Sequence, residues 1–125
     1  MITLIIFIAI LSIMILVHEF GHFAQARKLG IQVEKFSLGF GPKLFSYKRG
    51  FTEYSLCLFA FGGYVKMAGD AREECSGRYF EFLGRCLKDR AKLNYAGPAL
   101  NYALAFLSFQ KLQSCFFADV FRSFT

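Results

Sequence analysis

The first seventeen residues, Met1 to Val17, carry no charge, and Thr3 and Ser12 are their only polar side chains. A helical pattern continues through His18-Glu19-Phe20-Gly21-His22-Phe23-Ala24-Gln25-Ala26 to Arg27-Lys28. At about 1.5 Å per residue such a helix is about 40 Å long, enough to cross a bilayer with its headgroups. A removable leader would want basic residues before the apolar run and a small-residue cleavage site after it. This run opens without a basic residue and passes straight into His18-Glu19. A soluble core helix is disfavoured by the whole chain: 55% of residues are hydrophobic and only 19% charged, against about 25% charged in ordinary soluble domains. The expectation is a transmembrane helix over residues 1–28.

A second apolar segment, residues 93–109, is carried by Leu100, Leu104, Ala105, Phe106 and Leu107, with Asn94, Gly97, Pro98 and Asn101 set inside. Small and polar residues in a membrane helix mark a face packed on other protein, so this reads as a second span. Of the 15 Lys and Arg, 13 fall between Arg27 and Lys92. The positive-inside bias then puts the central segment in the cytoplasm and both flanks outside. The same loop accounts for the net charge of +6, and its scattered basic residues suit a membrane surface, not nucleic acid. Cys57, Cys75, Cys86 and Cys115 form no CxxC pair and read as structural or incidental thiols.

Between the spans, residues 29–69 change character. Gly39, Gly41, Pro42 and Gly50 argue against a long helix. Strands are expected over Val33–Leu38 and over Leu44–Leu58, the latter folded about Lys48-Arg49-Gly50 with Tyr54, Leu56 and Leu58 alternating against Glu53, Ser55 and Cys57. Gly62-Gly63 would end a strand or let another backbone approach. Residues 70–92 are polar and read as a solvated or interfacial connector, helical from about Arg78 to Asp89. The fold class is therefore membrane α+β: two transmembrane helices flanking a cytoplasmic or membrane-reentrant β-hairpin segment, with an atypical tail over 110–125.

His18-Glu19-Phe20-Gly21-His22 is an H-E-x-x-H sequence. On a helix, positions i and i+4 share a face, so both imidazoles can reach one ion, and zinc suits imidazole. Glu19 beside them is placed to take a proton from attacking water and deliver it to a leaving amine. Ionisable groups inside a membrane segment point to function, the plain alternative being a triplet that ends the span and reaches water. Gly21 would leave a notch beside the ion for a strand or substrate. Asn94, Pro98, Asn101 and Ala105 recur on one face of the second helix, and Asn101 is suited either to bind a substrate backbone or an oxyanion, or to tie helices together.

These residues resemble the site-2 protease family of intramembrane zinc metalloproteases, most closely the bacterial regulators of envelope stress that cut anti-sigma factors. Four pieces carry the resemblance in order: His18 to His22; Phe36-Ser37-Leu38-Gly39-Phe40-Gly41-Pro42; Gly62-Gly63-Tyr64-Val65-Lys66-Met67 with Gly69-Asp70; and Ala96-Gly97-Pro98-Ala99-Leu100-Asn101. The resemblance implies Zn2+ held by His18 and His22, Glu19 as general base, and glycine-rich hairpins dipping into the membrane. It implies that a transmembrane protein substrate, anti-sigma-factor-like or signal-peptide-like, adds as an extended strand beside Gly62 and Gly63 with help from Asn101. It also implies a multi-pass protein of the bacterial inner membrane.

The family's third zinc ligand is an Asp in a Leu-Asp-Gly context on a later helix, and here Asp70, Asp89 and Asp119 are followed by Ala71, Arg90 and Val120. Residues 110–125 match nothing expected of the family and read as an end reached early. The competing expectations are thus a truncated intramembrane endopeptidase and a catalytically inactive membrane fragment that keeps only folding or partner contacts. A secreted soluble zinc protease is disfavoured by the position of His18.

Overall fold

A computed structural model describes residues 1–123. Its elements are α1 (Ile2–Lys28), β1 (Val33–Arg49), β2 (Thr52–Met67) and α2 (Leu87–Ser123). α1 is continuous from the apolar run through the histidines, and Arg27 and Lys28 in its last turn complement the helix dipole. It stops in a Schellman arrangement: Gly30 at φ +73° donates to Arg27 O, and Ile31 donates to Ala26 O. That turn delivers Ile31 and Val33 into the core and starts β1.

β1 and β2 pair antiparallel in one two-stranded sheet. The outer hairpin closes from Lys43↔Cys57 to Arg49↔Thr52. The inner part of β1 lies against the far end of β2, from Val33↔Met67 to Leu38↔Gly63. It also meets the start of β2 in a short run where both numbers rise, Lys35↔Glu53 to Leu38↔Leu56. The first half of β1 is therefore central, and the long strands fold back over it.

Both strands outrun the sequence expectation. β1 continues past Leu38 through Gly39, Gly41 and Pro42 because β2 supplies a pairing partner, and Gly62-Gly63 lie inside β2 without ending it. Cys57 faces inward while Leu56 and Leu58 are exposed. The exposed outer hairpin is tied by Glu53, which accepts from Lys43 Nζ at 2.5 Å and from Ser46 Oγ at 3.0 Å.

The core is small: Phe23, Ala26, Ile31, Val33 and Leu93 are buried, with Phe36, Tyr54, Val65, Met67 and Phe82 packed around them. Phe23 meets Phe36 and Tyr54 edge-on at centroid distances of 5.2 and 5.9 Å. The connector is not merely solvated. Gln32 donates to Phe80 O, Phe82 to Ala68 O and Leu83 to Gly69 O, which dock it on the sheet end. Residues 79–85 form turns and bends, not the expected helix; the backbone groups of Phe80, Phe82 and Leu83 go to Gln32, Ala68 and Gly69.

The second helix extends at both ends of the expected 93–109, from Leu87 to Ser123. The part of the expected tail up to Ser123 is helical, and Phe124 and Thr125 lie outside the described residues. Among the described residues one helix, α1, is long and apolar enough to cross a membrane.

Candidate metal centre

His18 and His22 sit one turn apart on α1, on the face that meets α2. Their rings are edge-on with centroids 4.9 Å apart, and their Nε2 atoms converge to 3.2 Å. Zinc–imidazole bonds of about 2.0–2.1 Å at a tetrahedral angle would set two ligand nitrogens about 3.3 Å apart. The pair fits two corners of such a site. His22 Nδ1 lies 2.9 Å from Leu93 O. A carbonyl only accepts, so Nδ1 carries a proton, and in the neutral ring Nε2 then keeps its lone pair.

Gly97 makes room for the pair. A Cβ built on it would stand 2.5 Å from His22 Nε2 and 2.8 Å from His18 Nε2. Where a side chain would be, there is a cradle facing both ligating atoms. Gly21 permits this approach from the other side, since its Cβ would lie 2.6 Å from Ala96 O. The notch at Gly21 is thus filled by the backbone of α2, not by a strand or a substrate. Small residues facing each other let two helix backbones approach closely.

Glu19 points around the helix from the histidines, toward the sheet. Its Cγ lies 3.1 Å from where a Cβ on Gly63 would be, and Ser37 O lies 2.9 Å from that same point. Gly63 therefore brings β2 against the turn that carries Glu19. Gly62 is buried, and the ring of Phe40 covers the space a side chain would need.

The amide of Asn101 lies 3.3 Å from His18 Nδ1, on the far side of that ring from Nε2. Its Oδ1 is buried with no hydrogen-bond partner. The face of α2 turned to α1 is Leu93, Gly97 and Asn101, one residue away from the expected start at Asn94, which is exposed. Pro98, Asn101 and Ala105 instead line a cleft of about 320 Å³ with Met14, His18 and Tyr102. The expected Asn94, Pro98, Asn101 and Ala105 face is, from Pro98 onward, the wall of a groove.

Among the described residues no three His, Cys, Asp or Glu side chains gather where they could hold an ion. Asp70, Asp89 and Asp119 do not join His18 and His22. Sequence reasoning missed Gly97 and the Leu93 carbonyl as parts of the centre. Gly97 stands one helical turn after Leu93 and one before Asn101, a spacing that was visible but whose partner on α1 was not.

The sequence pattern of Peptidase family M50 matches residues 6–124. The chain is similar to protease RseP of Yersinia pestis, 42% identical over 106 residues, covering 82% of this chain and 24% of the relative. It is similar to the regulator of sigma-E protease RseP of Escherichia coli, 41% identical over 107 residues, covering 82% and 24%. With the zinc metalloprotease RasP of Shouchella clausii it shares 49% identity over 88 residues, covering 70% and 21%. It spans about a quarter of the length of these curated relatives. The apolar helix, the histidine pair it carries and the matched pattern agree: the chain belongs to peptidase family M50, the site-2 protease family of membrane metalloproteases.

Proposed function

We propose that the chain supplies part of the catalytic centre of a zinc-dependent intramembrane endopeptidase that cuts transmembrane protein substrates in the bacterial inner membrane. The observation that carries this reading is the pair of Nε2 atoms converging at 3.2 Å over Gly97, on a helix of membrane length. His18 and His22 hold the ion. Zinc, when bound, polarises the scissile carbonyl and makes water acidic enough to be deprotonated near neutral pH. Glu19 accepts that proton and returns it to the leaving amine. Gly62 and Gly63 offer β2 to an extended substrate segment, and the Gly63 approach to Glu19 supports this placement. α2 crosses the membrane a second time, with the amino terminus outside and residues 29–90 in the cytoplasm. The remaining ligand comes from outside the described residues.

The test uses a longer protein that contains this segment together with a Leu-Asp-Gly helix. There Glu19→Gln abolishes cleavage of a model transmembrane substrate while zinc content stays unchanged. Retained cleavage would remove Glu19 from the mechanism. Topology is read by an impermeant thiol reagent on intact cells: Cys86 is exposed in the fold, so its labelling from outside would overturn the cytoplasmic placement.

A second reading is favoured by the absence of a third ligating side chain among the described residues. The 125-residue chain alone then binds zinc weakly and does not cut. Stoichiometric tight zinc with Glu19-dependent cleavage by the purified chain would exclude it.

A further inference from the structure

Two imidazoles and one amide form a connected line in the interior of the helix pair. Leu93 O meets His22 Nδ1 at 2.9 Å, His22 Nε2 meets His18 Nε2 at 3.2 Å, and His18 Nδ1 meets the Asn101 amide at 3.3 Å. The first contact is fixed in sense: the carbonyl accepts, so Nδ1 of His22 carries a proton and the neutral ring presents a lone pair at Nε2. The rest of the line has two consistent settings.

In one setting Asn101 Nδ2 donates to His18 Nδ1. The His18 proton then sits on Nε2 and is shared with His22 Nε2, which holds the line together without an ion. Asn101 Oδ1 is left buried without a partner, as found. In the other setting the amide is turned end for end, its oxygen accepts Nδ1–H of His18, and His18 Nε2 is bare. The two amide orientations have the same shape and differ only in hydrogen bonding. Only the second leaves both Nε2 atoms free to bind one ion.

We infer that Asn101 is a positioning residue: by accepting the Nδ1 proton of His18 it fixes the tautomer in which His18 Nε2 is a ligand. This rests on the reading of His18 and His22 as the zinc pair. Metal-bound imidazoles generally donate their second ring N–H to an oxygen, and losing that partner weakens metal binding. His22 has Leu93 O for this purpose, and with the amide turned end for end His18 has Asn101 Oδ1, the NH2 then taking the buried, unpartnered place that Oδ1 now holds. Asn101 stands behind the His18 ring, on the Nδ1 side, so it acts through His18 and does not touch the ion.

The experiment is nitrogen NMR of the full 125-residue chain, histidine-labelled, in detergent micelles near pH 8, where an unperturbed imidazole is neutral. Zinc is titrated into the wild type, Asn101→Asp, Asn101→Leu and His22→Ala. A carboxylate accepts but cannot donate, and Leu does neither. The expected result is that wild type and Asn101→Asp show His18 protonated at Nδ1 and zinc-shifted at Nε2. Asn101→Leu binds zinc on the order of 10- to 100-fold more weakly, and its metal-free His18 signals move toward the other tautomer. Circular dichroism checks helicity, and Asn101→Ala replaces the Leu variant if that one unfolds. Unaltered zinc affinity and tautomer in Asn101→Leu, or loss in Asn101→Asp equal to that in Leu, would overturn the inference while leaving the site intact. Zinc binding that ignores His22→Ala would overturn the site itself, and the inference with it.

Discussion

Residues 2–17 and 18–28 belong to one unbroken helix, yet their surroundings are opposite. In the first half Phe7 is 62% exposed, and Ile2, Ile5 and Ile10 are exposed beside it. In the second half Phe23 is 9% exposed and Ala26 is fully buried, covered by β1, β2 and α2. Leaving so many large aliphatic side chains in water costs about 1.5–3 kcal/mol each relative to burial. The first half therefore needs lipid or further protein around it, while the second half makes its own core. His18 and Glu19 stand where one regime gives way to the other. Ionisable groups at this depth are costly unless held by protein, and the fold meets that demand with α2 on one side and β2 on the other.

The contrast breaks most sharply at Gly97. Gly97→Ala puts a methyl group 2.5 Å from His22 Nε2, where an ion would sit. Zinc affinity in the purified chain should fall by more than about 100-fold, beyond the usual loss when a ligand merely loses its hydrogen-bond partner. Ala9→Val, at an exposed position in the first half, should leave it unchanged. Equal zinc affinity in the Gly97 and Ala9 variants, by competition with a chromophoric chelator, would mean that α2 does not form the cradle.

Stability should divide the same way. Phe23→Ala removes a ring that packs on Phe36 and Tyr54 and carries the Arg27 guanidinium at 5.8 Å. A loss of about 3–5 kcal/mol is expected for a buried Phe. Phe7→Ala should cost close to nothing in detergent, since no core residue loses a contact. The check is thermal unfolding of both variants in one detergent. Comparable losses would show that the first half also packs on protein.

How legible was this in the sequence? His18 and His22 were, because their convergence depends only on helical periodicity within one element. The hairpin near Gly50 follows from local chemistry of the same kind. The cradle was not, because Gly97 matters through what faces it, and facing is a tertiary relation between helices 71 residues apart at the Leu93–His22 contact. Asn94 and Asn101 looked equivalent by spacing, and only the packed face separates them. Glycines and Pro42 in β1 suggested a break because propensity is local, whereas long-range pairing with β2 carries the strand through. The connector misled for a related reason: its charges suggested solvent, while its backbone was satisfying the end of the sheet.

Within that connector lies the smallest effect, at the rim of the covered half. Glu81 is 5% exposed, against Gly69, whose Cβ would come 2.7 Å from that of Glu81. Burial opposes ionisation of its carboxyl group, but the N–H groups of Arg78 at 3.1 Å and Ser76 at 2.7 Å point at Oε2 and outweigh it. The net result is a carboxylate held below its ordinary range. A group whose folded pKa is depressed contributes stability above the unfolded value, about 4.3 for Glu, and loses it as pH falls through the folded value. Docking of the connector should therefore be unchanged from neutral pH down to about pH 5 and loosen below it. Amide exchange at Ser76 and Arg78 would report this directly, accelerating on acidification relative to amides of α1 such as Ala26. Glu81→Gln should show the acidified behaviour of these two amides already at neutral pH and should remove its pH dependence. If instead the two amides and Ala26 accelerate together, the connector and the covered half of α1 open as one unit, and the boundary of the packed region lies beyond Glu81.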